Sequence, residues 1–276
     1  MLKPGAAVLL PGVANALAAR VVADTGFAAA YVTGAGIANT HLGIPDNGLV
    51  TLTELVDHVA AIRNVFDRPL MVDADTGFGN ALNMQRTVKA LERAGADAIQ
   101  IEDQVFPKRC GHFEGKEVIP SAEMVAKIKA AADARTDADL MIVARTDAIA
   151  TDGFNAAMGR AHAFRDAGAD IGFIEAPTTP EQIAAIAGLP WPQLANIVIG
   201  GRTPELPNAK LRELGFAGVI YANTALQAAV LGMQRALAHL KETGSIGDKH
   251  SLLATFAERQ RLVDFAGFQE LERKYK

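Results

Sequence analysis

The chain has 276 residues, half of them hydrophobic, and its formal net charge is −4. This length fits one large domain, and the apolar share suffices for a core that needs no disulfides. A single cysteine cannot form an internal disulfide, and the sequence has no basic stripe of the kind that binds nucleic acid. We find no signal peptide and no apolar run long enough to span a membrane, so we predict a cytoplasmic protein without nucleic-acid or membrane partners.

Short apolar segments alternate along the chain with longer amphipathic segments that are rich in alanine. The short segments predict eight strands, at 6–11, 29–33, 69–73, 98–101, 141–145, 171–175, 195–200 and 218–222. The longer segments predict helices at 14–25, 52–66, 81–94, 121–134, 155–167, 180–187, 207–214 and 223–242. Hydroxyl residues at the predicted helix starts, namely Thr51 or Thr53, Ser121 and Thr179, are typical N-caps.

Eight consecutive β/α units without a break in composition predict a single α/β domain, a (β/α)8 TIM barrel spanning residues 1–276. An open, doubly wound sheet is the alternative, and the absence of a Gly-x-Gly-x-x-Gly motif after an early strand disfavours it. Residues 243–276 are rich in Phe, Leu and charged residues, and we predict that they form a C-terminal helical extension. Such an extension often packs on a neighbouring subunit.

Acidic residues end two neighbouring predicted strands. Asp73 and Asp75 end the third strand, and Glu102 ends the fourth. Side chains two apart on a strand point the same way, so both aspartates can face the C-terminal mouth of the barrel, where active sites of this fold lie. Carboxylates this close repel each other unless a cation lies between them, and Mg²⁺ prefers such oxygens. Together they predict a metal site, although any one could instead cap a helix or pair with arginine. Asp46, in a turn-like Pro-Asp-Asn-Gly, is a weaker candidate.

The only cysteine lies in a basic, glycine-containing loop. Cys110 has Lys108, Arg109 and His112 as neighbours, a setting that lowers the pKa of a thiol. Most free cysteines are buried and inert, but no core strand would use this sequence. We therefore predict a functional thiol on a mobile lid at 104–120. Arg145, at the end of the fifth strand, is predicted to bind a substrate carboxylate, with a structural ion pair as the alternative.

Eight short motifs together resemble the isocitrate lyase/phosphoenolpyruvate mutase superfamily over nearly the whole chain. They are Tyr-Val-Thr-Gly at 31–34, Leu-Gly-Ile-Pro-Asp at 42–46, Asp-Ala-Asp-Thr-Gly-Phe-Gly at 73–79, Ile-Glu-Asp-Gln at 101–104, Lys-Arg-Cys-Gly-His at 108–112, Ala-Arg-Thr-Asp at 144–147, Glu-Ala at 175–176 and Ala-Asn at 195–196. The cysteine-containing loop is similar to that of the carbon–carbon lyases of the family. Its phosphonate mutases and hydrolases have a different loop.

The resemblance implies a role for each residue of the predicted site. The metal ligands it implies are Asp73, in direct contact with Mg²⁺ (Mn²⁺ as an alternative), and Asp46, Asp75 and Glu102, which act through water. The substrate-binding residues it implies are Thr33, Gly34, Ala35, Gly111, Glu175 and Asn196. The catalytic residues it implies are Cys110, Tyr31, Arg145, His112 and Lys108. Cys110 would protonate the released carbon, and either Tyr31 or a metal-linked carboxylate would deprotonate the substrate hydroxyl. The family also implies a homotetramer, a dimer of helix-swapped dimers.

Some positions depart from the family pattern, among them Asn15, Ile199 and Gln227. Methylisocitrate lyases have an arginine where this chain has Gln227, and an unpaired third carboxylate in a closed site would be costly. We therefore predict Mg²⁺-dependent cleavage of a small dicarboxylate, a substituted malate such as 2,3-dimethylmalate, to a 2-oxo acid and a short monocarboxylate. The alternatives are a 2-methylisocitrate lyase, an oxaloacetate hydrolase and a catalytically silent ligand-binding barrel.

Overall fold

Eight parallel strands close into a barrel in chain order. In the computed structural model, which describes residues 1–108, 115–247 and 249–276, the strands are β1 (Val8–Val13), β2 (Ala30–Val32), β3 (Leu70–Asp73), β4 (Ala98–Glu102), β5 (Met141–Thr146), β6 (Ile171–Ile174), β7 (Gln193–Asn196) and β8 (Gly218–Tyr221). The last strand pairs with the first, with Val8 opposite Gly218 and Pro11 opposite Tyr221. This closure confirms the predicted (β/α)8 barrel, and the alternative of an open sheet is wrong.

Helices follow the strands at close to the predicted positions. They are α1 (Ala16–Asp24), α2 (Gly34–Ile37), α3 (Leu52–Arg63), α4 (Ala81–Ala94), α5 (Ser121–Ala134), α6 (Phe154–Asp166), α7 (Pro180–Ala187), α8 (Asn208–Leu214), α9 (Thr224–Thr243), α10 (Phe256–Leu262) and α11 (Phe265–Tyr275). Thr51 caps α3 in a capping box with Glu54, which decides between the two threonines. The prediction that Ser121 is an N-cap is wrong, because the extended backbone of Pro120 takes that position without a side-chain cap.

Strand β7 lies earlier in the chain than predicted. The apolar run at 197–199 has the composition of a strand, but the chain turns there. Gly200 has a φ of +77°, and the N–H of Gly201 donates to the carbonyl of Val198 at 2.8 Å. Ile199 is consequently 55% exposed and outside the sheet. The shift places Asn196 at the C-terminal end of β7, on the barrel mouth.

Two apolar layers hold the barrel together and fix its mouth. One fills the lumen with side chains such as Leu10, Met71 and Phe173, and the other lies between the strands and the helices. At the mouth, a Cβ on Gly12 would lie 1.8 Å from the carbonyl oxygen of Ala222. The glycine therefore lets the ends of β1 and β8 approach each other closely.

The last three helices differ from the others in their burial. Helix α9 has 20 residues, but only Ala236 among them is buried. Its apolar side chains are open to solvent, with Met233 at 56% and Leu237 at 62% exposure. Neither α10 nor α11 contributes a buried residue. Among the described residues, no helix has the length and apolarity needed to cross a membrane.

Candidate active site

Predicted metal ligands meet at the C-terminal mouth of the barrel. Asp73 ends β3 and is 7% exposed, Asp75 follows it at 8%, and Glu102 ends β4 at 1%. Asp75 has a φ of +48°, a backbone conformation that non-glycine residues rarely adopt and that concentrates at functional sites. A Cβ on Gly34 would lie 3.2 Å from Asp75 Oδ1 and 3.3 Å from Asp73 Oδ2, so both carboxylates reach the chain at the start of α2.

Lys108 lies among these carboxylates. Its Nζ is 2.6 Å from Asp46 Oδ1 and 2.9 Å from Asp75 Oδ1, and the residue is 3% exposed. Burial opposes its charge, but Asp75, Glu102 and Asp46 outweigh burial and hold the pKa of the ammonium well above its usual range. Lys108 is therefore protonated, and its ammonium lies among the carboxylates that the sequence predicts to hold a metal. The sequence predicted an effect of Lys108 on the thiol but not these contacts, of which the one with Asp46 joins residues 62 positions apart.

Glu102 has one carboxylate oxygen near a cation and one without a partner among the described residues. Its Oε2 is 3.4 Å from Arg145 Nη1, whereas its Oε1 is buried and has no hydrogen-bond partner among the described residues. Burial raises the pKa of Glu102 well above its usual range, since a buried carboxylate without a partner resists ionisation. Within the described ranges, no group of three or more His, Cys, Asp or Glu side chains is spaced as a direct metal shell.

A buried hydrogen-bond chain orients Asp73. The Tyr31 hydroxyl donates to Gln100 Oε1 at 3.0 Å, and Gln100 Nε2 donates to Asp73 Oδ1 at 3.1 Å. Burial, together with the charge of Asp73, raises the pKa of Tyr31 well above its usual value. The phenol therefore keeps its proton and acts as a donor, which favours a carboxylate over Tyr31 as the base. Gln100 was not predicted, although a glutamine two residues before Glu102 on a buried strand faces the same way as Glu102.

Arg145 is held by an aspartate to which the sequence analysis gave no role. Its Nε and Nη2 donate to Asp147 at 2.9 Å and 3.1 Å, and Lys116 Nζ contacts Asp147 Oδ1 at 2.7 Å. Burial opposes the charge of Asp147, but the two cations outweigh burial and lower its pKa to about 2. The guanidinium carbon lies 5.2 Å from the ring centre of Phe173. The structural ion pair is therefore present, and Nη1 faces Glu102 rather than Asp147.

The other predicted residues lie around the same small cavity. Its volume is about 40 Å³, and its lining includes Tyr31, Thr33, Ala35, Asp46, Asp73, Lys108, Arg145, Glu175 and Asn196. The Thr33 side chain accepts from the Gly36 N–H at 3.1 Å and so caps α2. Asn196 Nδ2 lies 3.3 Å from both carboxylate oxygens of Glu175. The predicted residues Cys110, Gly111 and His112, with Arg109, lie outside the described residues.

The departures from the family pattern have separate explanations. The side chain of Asn15 accepts from the Ala18 N–H at 2.9 Å, so it caps α1, a structural task that asparagine performs well. Ile199 lies in the turn after β7. Gln227 lies in the exposed first turn of α9 and does not line the cavity. Within a single subunit, Gln227 therefore does not reach the cavity in which a third carboxylate of the substrate would lie.

Comparison with known proteins identifies the family of this chain. The sequence profile described as phosphoenolpyruvate phosphomutase matches residues 1–241. The chain belongs to the PEP mutase/isocitrate lyase superfamily. Within the family it is 44% identical over 269 residues to 2,3-dimethylmalate lyase of Eubacterium barkeri, covering 97% of this chain and 93% of the relative. It is 43% identical over 268 residues to 2-methylisocitrate lyase of Aeropyrum pernix, covering 97% and 85%.

Solved structures of the family agree. The crystal structure of a 2,3-dimethylmalate lyase superimposes with a TM-score of 0.93 at 36% identity, covering 99% of this chain and 91% of that one. The structure of an oxaloacetate acetylhydrolase in complex with 3,3-difluorooxalacetate superimposes with a TM-score of 0.89 at 34% identity, covering 97% of this chain and 91% of that one. The structure of a phosphonopyruvate hydrolase in complex with oxalate and Mg²⁺ superimposes with a TM-score of 0.88 at 31% identity, covering 98% of this chain and 95% of that one. The predicted resemblance and the prediction of a carbon–carbon lyase are confirmed.

The free energy of unfolding of the metal-free protein is expected to fall by about 1–3 kcal/mol between pH 5 and pH 8. Burial raises the pKa of Asp75 to about 7 and raises that of Glu102 further, so the folded state keeps protons that the unfolded state loses near pH ~4. The stability linked to these protons is present at pH 5 and lost as the pH rises through 7. Urea unfolding in EDTA at three pH values measures this slope, and saturating Mg²⁺ should flatten it. A flat profile in EDTA would contradict the expectation.

Proposed function

We propose that the protein is a Mg²⁺-dependent lyase that cleaves a substituted malate, such as 2,3-dimethylmalate, to a 2-oxo acid and a short monocarboxylate. One observation carries the proposal. Carboxylates of the predicted metal site, among them Asp73, line one small cavity with the buried guanidinium of Arg145. A 2-hydroxy dicarboxylate needs both features, an oxygen-rich cation site for one end and a fixed positive charge for the other.

The residues present fit a bound Mg²⁺, with Mn²⁺ as the alternative. Asp73 would hold the ion directly, with Asp46, Asp75 and Glu102 holding its waters. When bound, the ion supplies a Lewis acid that lowers the pKa of the substrate 2-hydroxyl. Lys108 contacts two of these carboxylates at 2.6 Å and 2.9 Å, so its ammonium and the metal share the same negative charge.

The chain's own residues then act on the carbon skeleton. A carboxylate of the site takes the hydroxyl proton, while Tyr31 stays protonated and keeps Gln100 and Asp73 in place. As the C2–C3 bond breaks, its electron pair stays on C3 and is delocalised into the oxygens of the carboxylate attached to C3, where Arg145 stabilises the negative charge that develops. Cys110 donates the proton that C3 receives, with His112 and Gly111 completing the pocket. Thr33, Gly34, Ala35, Glu175 and Asn196 hold the 2-oxo acid.

We expect Lys108 to move when substrate enters. The cavity of about 40 Å³ is far smaller than the roughly 300 Å³ of an ordinary ligand site, and Lys108 is among the side chains that fill it. Its departure would free Asp46 and Asp75 for the hydrated ion at the same moment. Lys108, which lies in the predicted lid, would thus affect both substrate entry and metal binding.

A substrate panel tests the proposed reaction. The protein with Mg²⁺ is incubated with 2,3-dimethylmalate, 2-methylisocitrate, isocitrate, citramalate and oxaloacetate. A coupled dehydrogenase measures released 2-oxo acid, and chromatography measures oxalate. We expect pyruvate from a substituted malate, lost on adding EDTA. If none of the 2-hydroxy acids is cleaved while one still binds tightly, the catalytically silent barrel is favoured instead.

Two other substrates remain in the panel for specific reasons. The likeness to oxaloacetate acetylhydrolase, with a TM-score of 0.89, favours oxaloacetate as the second candidate. Oxalate formed from oxaloacetate alone would move the protein to that reaction. 2-Methylisocitrate is included because the identity to a 2-methylisocitrate lyase is 43%, close to the 44% for the dimethylmalate enzyme.

We also propose that the protein is a homotetramer built from helix-swapped dimers. Met233, Leu237 and Leu240 lie along one side of α9 and are 56%, 62% and 40% exposed. A 20-residue helix with so little buried surface calls for a partner, and a second barrel could supply one.

Leu237→Glu is expected to convert the assembly to a smaller species, since a charge at the centre of a buried apolar face prevents its desolvation. Light scattering after gel filtration measures the mass. Arg235→Glu, about 200° away around the helix axis, is the matched control and should leave the mass unchanged. A monomeric wild-type protein would refute the proposed assembly.

A further inference from the structure

A second cavity lies beside the barrel mouth, apart from the catalytic one. Its volume is about 620 Å³, within the range of ligand pockets. The loops that follow β2, β3 and β4 and the first turns of α3 and α5 form its walls. No described residue lines both cavities. It is therefore a separate space of ligand size, built on the same loops as the catalytic site.

Lys127 of α5 lines this cavity and is 3% exposed. It has no hydrogen-bond acceptor and no carboxylate within ion-pair distance in the described part of the chain, and Glu123, one turn earlier, is exposed. The buried lysines Lys108 and Lys116 each contact an aspartate instead, at 2.6 Å and 2.7 Å. Burial lowers the pKa of Lys127. Lys127 Nζ is not itself fully enclosed, and Glu123, which also lines the cavity, opposes the effect of burial on the pKa. The side chain as a whole is nevertheless buried, and an anion in the cavity would give its ammonium an ion-pair partner.

The other residues that line the cavity indicate which chemical groups the bound anion should have besides its charge. Apolar side chains include Leu52, Phe78 and Ile119, and the rim presents Leu49 at 60% and Phe106 at 63% exposure. Large apolar side chains exposed around a cavity are typical of a site for an apolar group. Thr51 and Asn80, the N-caps of α3 and α4, also lie in the lining and place two positive helix ends there.

We propose that this cavity binds an amphipathic monocarboxylate of medium chain length. The carboxylate pairs with Lys127, and the hydrocarbon chain lies against Phe78, Ile119 and Phe106. A dicarboxylate does not suit it, because the apolar walls would leave the second charge without a partner. The cavity is next to catalytic groups in the chain, since Thr76 follows Asp75 and Phe106 lies two residues before Lys108.

Calorimetric titration with octanoate tests the site without any turnover. We expect octanoate to bind with one site per chain, and 1-octanol and octylammonium to bind at least tenfold more weakly. Saturating oxalate and Mg²⁺ should leave the octanoate affinity unchanged, because no described residue lines both cavities. Displacement of octanoate by oxalate would overturn the proposal, as would equal binding of octanol. None of these readouts depends on the proposed lyase reaction.

Two variants of one lysine, with a control on the same helix, identify the carboxylate partner. Lys127→Met should weaken octanoate binding at least tenfold, whereas Lys127→Arg should keep most of it. Lys129→Met, exposed and two residues away on α5, should bind as the wild type does. Unchanged binding by Lys127→Met would refute the site. If that variant does not fold, a crystal of the wild type soaked in octanoate decides, because the carboxylate must then lie within hydrogen-bond distance of Lys127 Nζ.

Discussion

Arg145→Met is expected to lower kcat/KM by about a thousandfold or more and to destabilise the protein by about 3–5 kcal/mol. In the proposed mechanism the activity falls because the guanidinium stabilises the negative charge that develops as the C2–C3 bond breaks. The stability falls because Asp147 and Glu102, 1% exposed each, lose the cation between them. Lys116 still pairs with Asp147 at 2.7 Å, so the expected loss comes from removing the guanidinium that these two buried acids share.

The measurements are steady-state kinetics on the substrate identified by the panel and urea unfolding at neutral pH. Lys210→Met is the matched control, because Lys210 pairs with Glu213 at 3.1 Å on the surface, and both side chains are more than half exposed. Exposed pairs contribute little, so the control should change stability by less than about 1 kcal/mol. An Arg145→Met protein as stable as this control would contradict the buried network of Arg145, Asp147 and Lys116.

The regular part of the fold could be predicted because its signals are local. Alternating apolar and amphipathic segments identify the eight units, and α4, α5 and α7 have the predicted bounds. The short helix α2 and the π-helical turn at Ala38–Leu42 were not predicted, since four to five residues show no periodicity. Strand β7 was placed too late because apolar composition does not distinguish a strand from a partly exposed turn such as 197–200.

The candidate site was predictable where residues act by their position on a strand. Asp73 and Glu102 end consecutive strands and Arg145 is the last residue but one of the next, so closure of the barrel brings them together. The roles of Gln100 and Asp147 come from pairings in three dimensions. Gln100 reaches Asp73 across 27 residues, and Asp147 meets Lys116 across 31. No spacing rule encodes such contacts. Lys108 shows the same limit, because its carboxylate partners come from two other loops.

Asp73→Asn is expected to weaken Mg²⁺ binding at least about a hundredfold and to lower kcat/KM by about a thousandfold, with little loss of stability. The substitution keeps the size of the side chain and the oxygen that accepts from Gln100 at 3.1 Å, so the buried chain from Tyr31 survives. Only the charge is lost, and its loss relieves repulsion with the neighbouring Asp75. Stability and metal affinity should therefore separate, which a merely structural aspartate would not produce.

Calorimetric titration with Mg²⁺, thermal unfolding and kinetics measure the three quantities in turn. Gln100→Met keeps the charge of Asp73 but removes the hydrogen bond that orients it, so we expect an intermediate loss of metal affinity, about tenfold. Asp57→Asn, an exposed aspartate on α3, is the control for loss of a negative charge elsewhere. Wild-type Mg²⁺ affinity in Asp73→Asn would remove Asp73 from the ligand set. The same affinity in Gln100→Met, with Asp73→Asn impaired, would instead show that Asp73 keeps its orientation without the buried chain.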